Sequence, residues 1–227
     1  MRALLLCGVI AGPLFIVVFL IEGALKPDYD PLRHPVSSLT LGPFGWTQTA
    51  NFIIAGLLTL AFAVALIRLA GVRQKIGAIL VAVGGVGLLG MAAFVADPVS
   101  GFPPGTPLLP DHVTLSGTLH DLFSVTAFFA LAGACFVFAG GAGWRWAIYS
   151  ALSGAAFLGG FFLARIGFGQ TEPYVNSAGL WQRIFVLIGW AWVTVLALRL
   201  LRQSRPGGAR IQAREAHSAR RRASGAI

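Results

Sequence analysis

The sequence predicts an all-α polytopic membrane protein, a six-transmembrane-helix bundle with N- and C-termini on the cytoplasmic side. Three observations predict it. Apolar residues make up 56% of the 227-residue chain and charged residues only 11%, whereas soluble domains carry about 25% charged residues. Mean hydropathy is +0.78 over the full length, which leaves too little polar surface to cover a water-soluble globule. The apolar residues also gather in unbroken runs of about 20, the length that crosses a hydrocarbon core of ~30 Å. Backbone polar groups in lipid must be satisfied internally, so spans are helices or a closed barrel. The runs do not alternate with period two, and that excludes a barrel.

The first run covers residues 3–25. Its Leu4-Leu5-Leu6-Cys7 start superficially resembles a lipoprotein signal. Leu6 is too large for the position before a modified cysteine, and no small-residue cleavage site follows. The run is therefore read as a retained helix. Pro13, beside Gly12, is expected to open one turn of it. Five further runs cover residues 47–67, 76–96, 120–139, 147–168 and 180–201. Links two and four, 68–75 and 140–146, are short. Links one, three and five, 26–46, 97–119 and 169–179, are longer and rich in proline, glycine and polar residues. Two small-residue stripes mark the fifth run, Ala151/Ala155/Gly159 and Ala156/Gly160/Ala164, and Gly77, Gly84, Gly85, Gly87 and Gly90 mark the third. Small residues permit close helix approach in lipid, so helices three and five are the expected centre of the bundle. Cys7 and Cys135 lie inside apolar runs without a CxxC pair and read as small buried hydrophobes.

Charge sets the orientation. Arg2, Arg68, Arg73, Lys75, Arg145 and the basic residues from Arg199 onward lie on one side, and only Lys26, Arg33, Arg165 and Arg183 on the other. The positive-inside rule puts the first group in the cytoplasm. The membrane domain is read as residues 1–202. Residues 203–227 form a basic cytoplasmic tail without apolar periodicity. Membrane lipids are the expected partners, with Arg202, Arg205, Arg210, Arg214, Arg220, Arg221 and Arg222 drawn to anionic head groups. The +9 net charge follows from topology and gives no reason to expect nucleic acid. The expected location is the bacterial cytoplasmic membrane.

Acids divide the opposite way, and this asymmetry points to a site. Glu22, Asp97, His120, Asp121, Arg165 and Arg183 all fall near the outer ends of helices, at one shared depth. Ionisable groups in membrane helices are costly and are functional candidates by default. The long first link brings His34, Ser37 and Ser38 to the same level, and the third adds Asp111 and His112. Two outcomes fit these residues. The arginines either close ion pairs with Glu22, Asp97 or Asp121, or they hold the phosphate or carboxylate of a ligand. Metal chemistry is disfavoured, because His112 and His120 are eight residues apart and no HExxH or i,i+4 histidine pair exists. A serine nucleophile at Ser37 or Ser38 has the residue types but no nucleophile-elbow frame. Transport stays open, but proton-coupled transport would want an acid at mid-membrane, and the sequence shows none. No cofactor is expected. Binding of a lipid or small anionic ligand leads, with a membrane-embedded lipid hydrolase and a small transporter as alternatives.

Several short motifs resemble one membrane family. His34-Pro35-Val36-Ser37-Ser38-Leu39, followed by Gly42, Gly45 and Trp46, leads into Asn51-Phe52 and Gly56. Phe94 with Asp97-Pro98, His120, and Gly179 with Arg183 complete the set. The pattern is similar to the bacterial and archaeal membrane family named domain of unknown function 998, over roughly residues 5–200. The resemblance implies a six-helix fold and no known activity. This chain departs from the pattern at Ser38 and Gln182, where an acid is expected, so chemistry relying on those acids is not carried over. A fainter echo runs inside the chain: Pro35-Val36-Ser37 after the first helix, Pro98-Val99-Ser100 after the third, and Glu172-Pro173 with Val175 after the fifth, although chance in proline-rich loops also accounts for it.

Overall fold

The computed structural model describes residues 1–69, 71–140 and 143–204. Six long helices carry the fold: α1 (Arg2–Leu25), α2 (Gly45–Leu69), α3 (Val72–Ala93), α4 (Leu115–Ala139), α5 (Trp144–Phe168) and α6 (Ala178–Gln203). All six contain stretches long and apolar enough to cross a membrane. Among the described residues the only extended pairing is one bridge, Val99 with Phe102. The basic tail from Arg205 onward lies outside the described residues; Arg202 is in the last turn of α6.

Each helix packs on its chain neighbours, and α6 returns to α1. The result is a closed ring with only a slight cross-contact between α4 and α6. Helices α3 and α5 therefore do not form the centre. Their glycines instead let ring neighbours meet. A Cβ on Gly87 would sit 2.5 Å from the Ala127 Cβ of α4, and one on Gly160 would sit 2.8 Å from the Phe185 Cβ of α6. The Ala151/Ala155/Gly159 stripe faces away from the ring, and a Cβ on Gly159 meets nothing within 4 Å. Pro13 does not break α1, which runs unbroken through it; the proline sits on the exposed face.

Polar side chains tie the ring where dispersion alone would leave it slippery. Asn51 Nδ2 of α2 donates to the Phe15 carbonyl of α1 at 3.1 Å. Trp146 Nε1 of α5 donates to the Phe138 carbonyl of α4 at 2.8 Å, and Trp192 Nε1 of α6 donates to Ser150 Oγ of α5 at 3.0 Å. The end with the short links is densely packed by Leu5, Phe62, Cys135 and Trp192, all fully buried. Arg199 lies over the Trp146 ring there, its guanidinium 4.9 Å from the centroid.

Of the helix boundaries that differ from the sequence reading, the two flanking the third link bear on the site. Helix α3 stops at Ala93, so Asp97 does not close it. Helix α4 starts at Leu115, so His120 lies more than a turn inside it. Asp97 accepts from the Thr114 backbone N–H at 2.9 Å and from its hydroxyl at 2.7 Å. Thr114 Oγ1 in turn accepts from Gly117 N at 2.9 Å. That N-cap satisfies orphan donors and adds a carboxylate at the positive end of the helix, extending α4 upstream of its apolar run.

Candidate functional site

A cavity of about 480 Å³ occupies the middle of the ring. Its floor is formed by Thr59, Val81, Leu131 and Val193, and its walls by Phe15, Phe52, Phe128, Phe157, Phe185 and Trp190. Toward the end with the long links it meets polar groups: Ser37, Asp97, His120, Asp121, Arg165 and Gln182. From Asp121 to Leu131 along α4 the depth is about 15 Å at 1.5 Å per residue. Two of the three members of the internal echo border this end, Pro35-Val36-Ser37 and Pro98-Val99; Glu172-Pro173 and Val175 do not.

The candidate residues divide into two groups. Ser37, Asp97, His120, Asp121 and Arg165 line the cavity; His34, Ser38, Glu22 and Arg183 do not. The cavity thus brings five of the nine together and leaves four outside it.

Among the described residues Arg165 is the one arginine on the cavity wall. Its guanidinium lies 3.9 Å from Asp121 Oδ2, and the two side chains are 55% and 62% exposed. A pair so long and so exposed holds little energy, so Arg165 keeps donors for another anion. Asp97 is different, since both its oxygens are engaged by Thr114. His120 is buried, and its Nδ1 lies 2.8 Å from the Phe94 carbonyl. A carbonyl only accepts, so Nδ1 carries the proton and Nε2 presents a lone pair. Gln182 Oε1 accepts from Val36 N at 2.7 Å. An amide oxygen there does the accepting that a carboxylate would do, and its Nε2 remains a donor beside the cavity.

Arg183 overturns the ion-pair expectation for its position. It is buried and has no carboxylate partner among the described residues. Its Nη1 donates to the carbonyls of His34 at 3.1 Å and Gly179 at 3.0 Å, and its Nη2 donates to the Tyr29 hydroxyl at 2.6 Å. The guanidinium also lies over the rings of Phe19 and Tyr29, 5.9 and 5.6 Å from their centroids. The Tyr29 hydroxyl points its proton toward the His34 and Pro35 carbonyls. Burial pushes the Tyr29 phenol above its ordinary value, against the pull of the neighbouring Arg183 charge.

His34 belongs to the same assembly. Its Nδ1 accepts from the Asp30 N–H at 2.9 Å, and its ring packs on Tyr29 and Phe102. Burial pushes its imidazole below the ordinary 6.5, opposed by the Asp30 carboxylate. Leu180 N bonds the Leu32 carbonyl at 2.9 Å, and Gln170 Nε2 donates to Ser100 Oγ at 3.1 Å. The Leu180–Leu32 bond fastens the first long link, as a cap, to α6, ring packing on Phe102 sets it against the third link, and Gln170 ties the fifth link to the third. Among the described residues Ser38 Oγ is fully buried without a hydrogen-bond partner. Among the described residues no three His, Cys, Asp or Glu side chains gather as a metal site.

Sequence reasoning missed Tyr29 as a cap residue, Gln182 as a link between cap and cavity, and every apolar wall residue. A tyrosine in a proline-rich link near a lone buried arginine was the available signal for the first.

No curated protein and no solved structure matches the chain. A family model does, over residues 9–199, and it agrees with the resemblance read from His34-Pro35-Val36-Ser37, Asp97-Pro98, His120 and Gly179. With six apolar helices in a ring, a capped end and these motifs at the cap and cavity, the chain belongs to the membrane family described as "Protein of unknown function (DUF998)".

Proposed function

We propose that the protein binds an amphipathic ligand, a lipid or a small anionic molecule with an apolar body, in the central cavity at the outer side of the bacterial cytoplasmic membrane. One observation carries this reading: a cavity of about 480 Å³ with aromatic and aliphatic walls has a single arginine, Arg165, among its polar groups. Pockets of roughly 300–1,000 Å³ with apolar walls and a few placed polar groups are typical of ligand sites. Arg165 supplies the anion contact, and Gln182 Nε2 and Ser37 supply neutral donors. The lone pair of His120 suits a ligand hydroxyl. Arg183 is a structural residue here, because its Nη1 and Nη2 donate to the cap. On the cytoplasmic side the arginines from Arg202 onward attract anionic head groups.

The alternatives draw less support. A transporter would need a path onward from the cavity floor, where Phe62, Cys135 and Trp192 are packed without exposure. A serine hydrolase would need a Ser–His contact, and neither Ser37 nor Ser38 makes one. Native mass spectrometry of the detergent-purified protein tests the binding reading. Wild type should carry a bound amphiphile. Gly84→Phe should lose it, because Gly84 borders the cavity and a Cβ there meets only the Ala127 carbonyl, at 4.0 Å. Equal occupancy in both folded proteins would rule the reading out.

A further inference from the structure

We infer that the cavity opens sideways into the outer leaflet, between the outer ends of α4 and α5, and takes up an acyl chain whose anionic head replaces Asp121 on Arg165. The inference rests on the binding reading and adds the ligand class and the route.

The direction of the opening follows from which lining residues are exposed. Over the ring axis the cavity is roofed by Pro35 and Val36, both buried. That roof is held by Gln182 on Val36 N, by Arg183 on the His34 carbonyl and by Tyr29 on the Pro35 carbonyl. The exposed lining residues are Leu109 and Val113 of the third link, Asp121 of α4, and Arg165 and Gly169 at the end of α5. All five lie on one side of the ring. A rigid roof with exposure confined to one flank makes a side door.

What lies outside that door follows from the side chains around it. Val113 and Leu115 are 67% and 76% exposed, and Leu108 and Leu109 are exposed beside them. Such residues rest in the acyl–head-group boundary and not in water. The depth below Asp121, about 15 Å, equals half of a ~30 Å hydrocarbon core, the span of one leaflet. A chain entering here keeps its head group at its own level in the bilayer. The head then meets Arg165, whose present partner is a carboxylate 3.9 Å away, beyond hydrogen-bond reach. A phosphate or carboxylate of the ligand makes the closer, charge-assisted bonds.

The test uses full-length protein in phosphatidylcholine vesicles containing a trace of phosphatidylglycerol with a diazirine on its acyl chain. A parallel set contains diazirine-bearing palmitate. Adducts are mapped by peptide mass spectrometry after illumination. Phosphatidylglycerol adducts on Val81, Leu131 or Val193 support the proposal with a phospholipid as source; palmitate adducts alone support it with a free fatty acid as source. Arg165→Ala should cut cavity labelling several-fold, and Asp121→Asn should preserve or raise it. Both side chains are exposed, so neither change threatens folding. Adducts confined to lipid-facing residues such as Ile79, Leu122 and Ile148 would overturn the proposal. If those same preparations still carried an amphiphile lost in Gly84→Phe, the binding reading would stand and the side entry would fall.

Discussion

Arg183 shows how a buried charge is held without an opposite charge. Two carbonyl oxygens and a phenol accept from its Nη1 and Nη2, and two rings lie against the guanidinium, while its buried Nε has no partner among the described residues. Removing Arg183 strands those acceptors in a dry place, at about 1–3 kcal/mol for each buried group left unmatched. Arg183→Met should therefore lower stability by roughly 2–3 kcal/mol in detergent unfolding, and Tyr29→Phe by about 1 kcal/mol. Arg165→Ala should leave stability near wild type, since its one ion pair is long and exposed. A similar loss for Arg165→Ala and Arg183→Met would contradict the division between cavity and cap. His34 adds a pH dependence. Its folded-state pKa lies below the ordinary 6.5, so between the two values the unfolded chain binds the extra proton. Cap stability is thus full above pH 6.5 and falls as pH drops toward the lowered value. Protonation also removes the Nδ1 lone pair that receives the Asp30 N–H. Thermal unfolding between pH 7.5 and 5 should show this loss, and His34→Gln should flatten it.

At the scale of elements, six helices were legible because lipid demands long apolar runs, and the proline-rich links marked their ends. Asp97 was legible as important but not in its role. Its bonds to Thr114 depend on how link three folds back, which run length does not report. The central position of α3 and α5 was misread for a related reason. Small residues announce close approach but not which helix approaches, and here the approach is to ring neighbours. Close approach also ranks the glycines. A Cβ on Gly179 would lie 2.6 Å from the His34 carbonyl oxygen and 2.7 Å from that of Pro31, and backbone cannot yield as a side chain can. Gly179→Ala should cost about 1–3 kcal/mol, the usual range for overpacking. Gly117→Ala should do likewise by pressing on the Asp97 carboxylate. Gly159→Ala, with open space around it, should be silent. Thermal unfolding of the three variants checks the order, and a destabilised Gly159→Ala would show that the outward stripe is covered.

For the whole molecule, the ring arrangement decides what the sequence hides. In a soluble protein a polar face marks the outside, so an apolar face marks the core. In lipid both faces are apolar, and Phe157 inside the cavity reads no differently from Phe162 on the exterior. A central cavity is therefore invisible to periodicity, and only the polar groups at its mouth, among them His120, Asp121 and Arg165, gave a sign of it. Orientation rests on the positive-inside argument and has its own test. In a variant with Cys7 and Cys135 replaced, a cysteine at Pro104 should react with an impermeant thiol reagent on intact cells, and one at Ser204 should not. The opposite pattern would invert the bundle and put the cavity mouth in the cytoplasmic leaflet.

The central claim is that the cavity holds an acyl chain reaching from Arg165 toward Val81 and Val193. An electron cryomicroscopy structure of the protein in lipid nanodiscs, with a rigid binder for alignment, tests it most directly. The account predicts one elongated density along the cavity with its head within about 3 Å of the Arg165 guanidinium. A collapsed cavity, or one holding only separate water peaks, would contradict it.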